Sequence, residues 1–265
     1  MCPSPAPPPP DVVAALRAAG CVFAEDEARL LVAEAPSPSR LTTMVERRAA
    51  GLPLEHVLGW AAFHGLRIGV EEGVFVPRRR TEFLVRQAAL LADPAPVVVD
   101  LCCGSGALGA ALAAALGPER PPAALHAADI DPVAVRCARR NLAAAGGEVH
   151  EGDLYAALPG GLRGRVGLLL ANVPYVPSDE VELLPAEARV HEPRVALDGG
   201  ADGLDVLRRV TSGAGGWLAS GGSLLFETSG RQARAAVAAV TAGGLVPRLV
   251  TCEEADATVV VGTAR

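Results

Sequence analysis

The stretch Asp100-Leu-Cys-Cys-Gly104-Ser-Gly106-Ala-Leu-Gly109 decides the fold class. It joins the apolar run Val97–Leu101 to an alanine- and leucine-rich segment, residues 107–116, whose composition favours a helix. A glycine-rich turn between a buried strand and a helix is where an open α/β sheet binds ligands. Glycines there let the backbone turn sharply and approach a bound molecule, although such turns also serve packing alone.

Beyond Thr81, apolar runs alternate with segments of helical pattern. We expect helices over 82–92, 107–116, 132–145, 201–214 and 232–242, and strands over 97–101, 125–130, 149–151, 166–171, 222–228, 246–251 and 258–262. Strands that alternate with helices of this length predict a doubly wound, mostly parallel, seven-stranded α/β sheet of Rossmann-like type over residues 81–265.

The N-terminal part has a different pattern. Residues 1–10 are rich in proline and are expected to form an extended, disordered lead-in. Helices are expected over 11–20, 25–35 and 41–50, which gives a small helical lobe over residues 11–62. Residues 63–70 and 74–76 are expected to be the two strands of a linking β-hairpin, with a turn at 71–73 inside a 63–80 linker.

The composition excludes several classes of protein. The chain of 265 residues is 50% hydrophobic and 20% charged, and it has no run of the roughly 18 apolar residues that a membrane span requires. Its first residues lack the pattern of a secretory signal, so we expect a cytoplasmic protein. We also expect it to be a monomer. A net charge of −6 argues against a large basic face for nucleic acid. All 24 basic residues are arginine, which excludes lysine chemistry.

The cysteines do not indicate a metal site. The six thiols form no Cys-x-x-Cys pair and have no neighbouring histidine in the sequence. Adjacent Cys102 and Cys103 are poorly placed to bridge each other. We therefore interpret the cysteines as free thiols and expect no metal.

Spacing around the glycine turn narrows the choice of ligand. Gly104, Gly106 and Gly109 fit the dinucleotide fingerprint, but an acid, Asp100, lies four residues before the first glycine, at the end of the strand. Asp-x-x-x-Gly-x-Gly is typical of methyltransferases that bind S-adenosyl-L-methionine, whose cationic groups favour a nearby carboxylate. Nicotinamide binding is therefore the second interpretation.

Acidic residues also end the next two strands. Asp129 can accept both ribose hydroxyls of a nucleoside, whereas Asp131, followed by Pro132, is interpreted as the N-cap of the next helix. Asp153 offers a carboxylate for the adenine amino group, and Leu154 an apolar side chain for the ring. Each aspartate alone could be an ordinary cap or turn residue, but their recurrence at successive strand ends favours one nucleoside site.

Asn172-Val173-Pro174-Tyr175 follows the fourth strand, beside the expected methyl group of the cofactor. A planar amide nitrogen is a poor nucleophile because its lone pair is delocalised. The side-chain oxygen of Asn172 and the backbone carbonyl of Val173 can accept its two hydrogens, while the Tyr175 ring packs on its face. Pro174 extends the preceding residue and so helps to aim the carbonyl. The alternative is a simple asparagine-initiated turn.

Together these segments resemble the HemK/PrmC group of protein-(glutamine-N5) methyltransferases, and the likeness runs from about Leu52 to the C-terminus. Besides the glycine turn and the tetrad, it rests on 53–59, 73–78, 81–82, 191–200 and 202–204. The family modifies the Gly-Gly-Gln glutamine of peptide chain release factors or, in a sister branch, a ribosomal protein. Its helical N-terminal domain, which would recognise the substrate, matches the lobe expected here.

The resemblance also implies residue roles. Cys102, Cys103, Gly104, Ser105, Gly106, Asp129 and Leu154 would contact S-adenosyl-L-methionine, with Asn172 between the cofactor and the substrate amide. Phe75 and Arg78 would help to form the substrate pocket. Alternatively, Phe75 belongs to the hairpin core and Arg78 pairs with Glu82 one helical turn away.

Three segments depart from the family pattern. Val173 replaces the first proline of Asn-Pro-Pro-Tyr, Pro77-Arg-Arg-Arg-Thr-Glu82 replaces Pro-Arg-Pro-Glu-Thr-Glu, and Cys102-Cys103 replaces Gly-Thr. The carbonyl of residue 173 is retained whatever its side chain, so the reaction class is unaffected. Two other acceptors are compatible with the tetrad, namely an exocyclic amine of a nucleic-acid base and an unidentified small molecule. A protein that binds the cofactor without catalysis would leave Asn172 unexplained.

Overall fold

The computed structural model of the chain describes residues 7–265. Residues 1–6, most of the expected proline-rich lead-in, lie outside the described part. Within it, helix α1 begins at Pro10, one residue before the expected start. Proline is tolerated there because the first helical residues need no intrahelical N–H donor.

Four helices form the N-terminal part: α1 (Pro10–Ala18), α2 (Ala24–Glu34), α3 (Pro38–Ala49) and α4 (Leu54–Leu58). The first three confirm the expected helices, whereas α4 was not predicted. Leu16, Leu31 and Met44 lie in the core that these helices share. The nearly buried guanidinium of Arg48 donates from Nε to Glu27 Oε2 over 2.6 Å, which ties α3 to α2.

The β-hairpin lies earlier in the chain than expected. Strands β1 (Trp60–Phe63) and β2 (Leu66–Gly69) pair antiparallel, and residues 74–76 are not a strand. The turn is His64-Gly65, with φ values of +50° and +76°, the left-handed pair that a two-residue hairpin turn requires. The prediction was wrong because histidine rarely marks such a turn, whereas the glutamates and glycine at 71–73 resemble one.

The remainder of the chain forms a seven-stranded sheet. Its strands are β3 (Val97–Leu101), β4 (Ala124–Asp129), β5 (Glu148–Glu151), β6 (Val166–Ala171), β7 (Leu218–Glu227), β8 (Val246–Cys252) and β9 (Ala257–Thr263). The order is β5-β4-β3-β6-β7-β9-β8, and only β9 runs antiparallel to its neighbours. The mostly parallel, seven-stranded sheet is therefore confirmed.

Helices cover both faces of the sheet. They are α5 (Glu82–Leu91), α6 (Ala107–Leu116), α7 (Pro132–Leu142), α10 (Asp205–Ala214) and α11 (Ala233–Ala242). Two short helices, α8 (Ala186–His191) and α9 (Arg194–Leu197), lie in the segment between β6 and α10. One core contains Leu84, Leu112 and Leu142 from α5, α6 and α7, and the other contains Leu207 and Val240 from α10 and α11. Two separate cores, one on each face, confirm the doubly wound architecture.

Two of the expected helices are shorter than predicted, and two more were missed. α10 begins at Asp205 rather than 201, and residues 143–145 form a 3-10 turn beyond α7. Gly200 and Gly203 have φ values of +92° and +74°, which are incompatible with a helix. α8 and α9 lie in the long segment between β6 and α10, where no helix was expected. Across residues 7–265, no helix combines the length and the apolar character needed to cross a bilayer.

Candidate active site

A cleft of about 1070 Å³ opens at the carboxyl ends of β3, β4 and β6. The chain runs from β3 outward through β4 to β5 and then returns to β6 on the other side of β3, so the cleft lies at the point where the strand order reverses. We call it the strand-end cleft and define it by Phe75, Cys102–Ser105, Asp129, Leu154 and Asn172. Parallel strands thus bring together Cys102 and Asn172, which are 70 positions apart in the sequence.

The glycine turn forms one wall of this cleft. Gly104 and Gly106 have φ values of +54° and +76°, the left-handed region that favours glycine. The amide nitrogen of Gly104 donates to Asp129 Oδ2 over 2.8 Å, and that of Asp131 donates to Asp129 Oδ1 over 2.9 Å. The carboxylate is therefore fixed in orientation, with lone pairs left over on both oxygens. Burial raises its pKa, against the effect of these two N–H donors.

Asp100 lies beneath the turn rather than in the lining of the cleft. Its side chain is fully buried, and Oδ2 accepts a hydrogen bond of 3.0 Å from the Gly109 amide in α6. Oδ1 is buried without a partner among residues 7–265. Burial raises the pKa of Asp100 to about 8, opposed by the Gly109 bond and assisted by the charge of Asp129. Gly106, like Asp100, does not line the strand-end cleft.

Asp153 and Leu154 reach the cleft from the end of β5. Leu154 is buried and has a φ of +48°. Asp153 is exposed and forms an ion pair of 2.5 Å with Arg209 of α10, which also lines the cleft. Arg209 was not singled out from the sequence because nothing local marks it. Asp131 does cap α7, since its Oδ1 accepts from the Val133 amide over 2.7 Å.

The two thiols of the turn lie in the same wall. Burial raises the pKa of Cys102 and of Cys103, and neighbouring aspartates add to the effect. Both cysteines are free, as are the other thiols within residues 7–265. The expected absence of a bridge between them is confirmed. They act as small apolar lining groups rather than as nucleophiles.

The tetrad after β6 separates the strand-end cleft from a second pocket. This second pocket of about 1020 Å³ lies toward the N-terminal helices, and we call it the lobe pocket; it is defined by Pro53, Glu55, Arg78, Tyr175 and Glu187. Phe75, Asn172 and Ala196 line both spaces and thus form their common wall. Val173 and Tyr175 face the lobe pocket, whereas Pro174 lines the cleft.

Asn172 carries the most informative polar atom of this wall. Its Oδ1 is buried and has no hydrogen-bond partner among the described residues. A buried carbonyl oxygen without a partner is costly, and such groups in folded proteins are rare. The oxygen therefore marks a place where a bound N–H donor would be accepted.

Arg78 does not pair with Glu82. Its Nη2 lies 2.7 Å from both carboxylate oxygens of Glu192, while Glu82 accepts a hydrogen bond of 2.9 Å from the backbone N–H of His64. The alternative that assumed an i,i+4 pair was wrong because a long-range partner is available. The Arg78 guanidinium carbon also lies 4.9 Å from the centre of the Phe75 ring. Phe75 is only half-buried and is not part of a strand.

Comparison with known proteins is consistent with this geometry. Residues 67–201 match the family model described as the methyltransferase small domain. The chain is 39% identical to the release factor glutamine methyltransferase of Streptomyces coelicolor over 226 residues, which is 84% of this chain and 75% of that one. It is 37% identical over 252 residues to that of Cereibacter sphaeroides, covering 87% of each chain.

The chain belongs to the release factor glutamine methyltransferase family. Among solved structures it is similar in fold to a methyltransferase from Pyrococcus furiosus, with a TM-score of 0.55, 12% identity and 75% and 89% of the two chains covered. It is equally similar in fold to the Thermus thermophilus 16S rRNA N2 G1207 methyltransferase solved with AdoMet and guanosine. That comparison has a TM-score of 0.55, 16% identity and coverage of 78% and 50%.

As a member of the release factor glutamine methyltransferase family, the chain is an S-adenosyl-L-methionine-dependent enzyme. Two observations show that the strand-end cleft fits this cofactor. The backbone approaches the cleft at Gly104 without an obstructing side chain, since a Cβ built there would meet nothing within 4 Å. Asp129 lies at the strand end with free lone pairs for hydroxyl donors.

Several residues of the site were not predicted from the sequence. Thr81, Pro193 and Val206 line the strand-end cleft, and Glu192 anchors Arg78. Glu227 ends β7 and is 3% exposed. It contacts the tetrad, because it accepts a hydrogen bond from the hydroxyl of Tyr175. An acid at the carboxyl end of a strand was the signal used for Asp100 and Asp129, and the same signal could have identified Glu227.

One cluster of possible metal ligands lies outside both pockets. His126 of β4 and Glu148 and His150 of β5 are neighbours near the edge of the sheet. Nδ1 of His126 and Nε2 of His150 are 3.2 Å apart, whereas Glu148 Oε2 is 3.9 Å from the same Nδ1. A hydrogen bond between the two rings satisfies both nitrogens, so the contact is explained without an ion.

Proposed function

We propose that the chain transfers a methyl group from S-adenosyl-L-methionine to the side-chain amide nitrogen, N5, of a glutamine in a peptide chain release factor. The relatives that it resembles over most of its length are named for that activity. The observation that carries the proposal is the buried, unpartnered Oδ1 of Asn172 in the wall between the strand-end cleft and the lobe pocket.

In this proposal the tetrad prepares the amide for attack. Asn172 Oδ1 and the backbone carbonyl of Val173 accept the two N–H hydrogens of the glutamine, which turns the nitrogen lone pair toward the cleft. Pro174 holds residue 173 extended, and Tyr175 packs against the amide plane. The bound cofactor supplies a methyl group on a positively charged sulfur. The amide nitrogen forms the new N–C bond as the S–C bond breaks, and it then releases one proton to solvent.

We assign the strand-end cleft to the cofactor and the lobe pocket to the acceptor. Cys102–Ser105, Asp129, Asp153 and Leu154 would surround the cofactor, with Asp100 and Gly106 acting from beneath the turn. Phe75 would contact the acceptor, held by Arg78 and its partner Glu192. The lobe pocket has walls from the N-terminal helices and from α8, so a protein loop that enters it would touch both. We further propose that the enzyme acts as a monomer in the cytoplasm, where release factors work.

The arginine run at 78–80 does not support a nucleic-acid acceptor. Arg78 is paired with Glu192 and Arg80 with Glu227, over 2.7 Å in each case. An arginine that is already paired with a buried carboxylate contributes little to a phosphate-binding surface. The small content of aromatic residues, 3%, also gives few platforms for an extruded base.

The acceptor can be identified with methyl-labelled cofactor. The enzyme is incubated separately with a release factor, the same factor with the glutamine of its Gly-Gly-Gln loop replaced by asparagine, a ribosomal protein and transfer RNA. We expect label on the release factor alone, mapped by mass spectrometry to that glutamine side chain. Label on RNA alone, or label on the asparagine variant at the same level, would refute the proposal.

Asn172→Ala separates transfer from cofactor binding. Loss of one acceptor for the reacting amide should reduce the transfer rate roughly 100-fold, the usual cost of removing a positioned hydrogen-bonding group. The cofactor dissociation constant, measured by calorimetry, should stay within about threefold because the cleft keeps its other groups. Equal losses in both quantities would contradict the role assigned to Asn172.

A further inference from the structure

Arg80 occupies a position where the related sequence motif carries a glutamate, and its side chain turns toward the tetrad. Nε donates to Glu227 Oε1 over 2.7 Å, and Nη2 donates to the hydroxyl of Tyr175 over 2.5 Å. The partners are 147 and 95 positions away in sequence. This arginine therefore links the segment before α5, the end of β7 and the tetrad after β6.

Glu227 is the buried centre of this arrangement. Glu227 is only 3% exposed. Its Oε2 accepts a hydrogen bond of 2.6 Å from the Thr81 hydroxyl, and its Oε1 accepts one from Arg80. A carboxylate removed from water requires a charged partner and hydrogen bonds to remain ionised. With glutamate at position 80, two carboxylates would face each other here, whereas arginine gives a neutral pair.

The phenol of Tyr175 is held from both sides by this pair. Its oxygen accepts from Arg80 Nη2 and donates to Glu227 Oε1 over 3.3 Å. The backbone of the same residue is also fixed, because its carbonyl accepts a hydrogen bond of 2.9 Å from Gln232 Nε2. A hydroxyl with one donor and one acceptor in fixed places holds the outer end of the ring in one position.

We propose that Arg80 and Glu227 are positioning residues for methyl transfer, a charged pair that fixes the Tyr175 ring against the acceptor amide. The role given to the Tyr175 ring rests on the proposed function, whereas the Arg80–Glu227 pair does not. The proposal assigns to Arg80, which is partly exposed, a purpose in the lining of the lobe pocket. Arg80 acts through Tyr175 and need not touch the acceptor.

Kinetics of matched variants test the proposal. Arg80→Ala should lower kcat for the acceptor roughly 10- to 100-fold with its KM changed by less than about threefold, as expected when orientation rather than binding is lost. Arg80→Lys keeps the charge but not the planar fork, so it should recover part of the rate. Arg79→Ala, at the exposed neighbouring position, should retain the wild-type rate. A raised KM with unchanged kcat in Arg80→Ala, or an equal effect of Arg79→Ala, would overturn the proposal.

A double-variant cycle tests whether Arg80 works through Tyr175. If it does, Arg80→Ala combined with Tyr175→Phe should be no slower than Tyr175→Phe alone, because the second change has no hydroxyl left to position. Rate losses that multiply instead would mean that Arg80 acts independently of the ring, which would refute the assignment.

A third measurement needs no acceptor and so separates this proposal from the proposed function. The chain has two tyrosines, so in a Tyr155→Phe background ultraviolet absorbance reports the titration of Tyr175 alone. Burial raises the pKa of Tyr175, the charge of Glu227 raises it further, and Arg80 opposes both. Arg80→Ala should therefore shift the phenol titration to higher pH and Glu227→Gln to lower pH. An unchanged titration in both variants would show that no such pair surrounds the ring in solution, even if glutamine methylation is confirmed.

Discussion

The amide nitrogen of Gly104 lies 2.8 Å from Oδ2 of Asp129, so the glycine turn after β3 is hydrogen-bonded to the acid that ends β4. The glycine turn and Asp129, which form neighbouring walls of the strand-end cleft, are therefore one unit, in which the turn orients the acid and the acid fixes the turn. Any change at Asp129 acts on both.

We expect Asp129→Ala to weaken binding of S-adenosyl-L-methionine by at least about tenfold, since a carboxylate with two backbone donors and free lone pairs is lost. Calorimetric titration measures the effect. Asp131→Ala is the comparison variant: it removes the cap of α7 and should lower the free energy of unfolding by about 1 kcal/mol. Although Asp131 also lines the cleft, it holds Asp129 through its backbone N–H, so affinity should fall by less than about threefold. Equal affinity losses in the two variants would be incompatible with this assignment.

The raised pKa of Asp100 predicts a pH dependence of stability in the absence of cofactor. Between its ordinary value of 3.8 and the folded value of about 8, the folded protein binds more protons than the unfolded chain. The contribution of this group is therefore fully present below about pH 4 and is lost as pH rises toward about 8, with a limiting slope of about 1.4 kcal/mol per unit. Urea unfolding across that range measures it.

Asp100→Asn should remove that part of the pH dependence, because the amide does not titrate. The exposed Asp93→Asn is the control and should leave the curve of the wild type unchanged. Parallel curves for wild type and Asp100→Asn would show that Asp100 is already ionised in the folded protein across the range.

Gly203 should be intolerant of any side chain, because of its place behind the tetrad. It has a φ of +74°, and a Cβ there would lie 2.3 Å from the backbone oxygen of Tyr175. Gly203→Ala should displace that peptide and reduce methyl transfer more than about tenfold. Gly221→Ala has a similar φ of +78° but open space around it, so it should cost about 1 to 2 kcal/mol of stability with no loss of rate. Matched activities of the two variants, measured with labelled cofactor, would contradict this.

Arg48 should be a major contributor to stability, because it is a buried cation shared between two acids. It pairs with Glu27 and with Glu187 of α8, both over 2.6 Å. Arg48→Ala leaves Glu27 buried without a partner and should cost about 3 to 5 kcal/mol in urea unfolding. Arg47→Ala breaks an exposed pair with Glu72 and should cost less than about 1 kcal/mol. Similar costs would mean that the Arg48 pair is hydrated.

The sheet could be predicted from the sequence because its signals are local. The strands Val97–Leu101 and Val166–Ala171 were predicted to the residue, since a short apolar run between polar turns has few other interpretations. The same approach misplaced the hairpin, because Val74 and Val76 are buried by packing and not by strand pairing.

The candidate site could be predicted only in part, for a related reason. Strand ends mark Asp129 and Asn172 because the fold brings the carboxyl ends of the parallel strands to one edge of the sheet. Ion pairs between distant parts of the chain have no local signal in the sequence. Arg78 pairs with Glu192, 114 residues away, whereas the sequence suggested the nearer acid Glu82. The place of Asp100 beneath the turn was not visible either, because spacing alone does not tell which side of a turn an acid faces.

The common wall of Phe75, Asn172 and Ala196 has a consequence for the order of events. In the proposed assignment the cofactor binds on one side of that wall and the acceptor on the other, so neither would occupy the route by which the other enters. We therefore expect random-order steady-state kinetics, in which the demethylated product, S-adenosyl-L-homocysteine, competes with the methyl donor but not with the acceptor. The spent donor can then leave, and a fresh one can enter, while the methylated protein is still bound, so exchange of the donor does not depend on release of the protein.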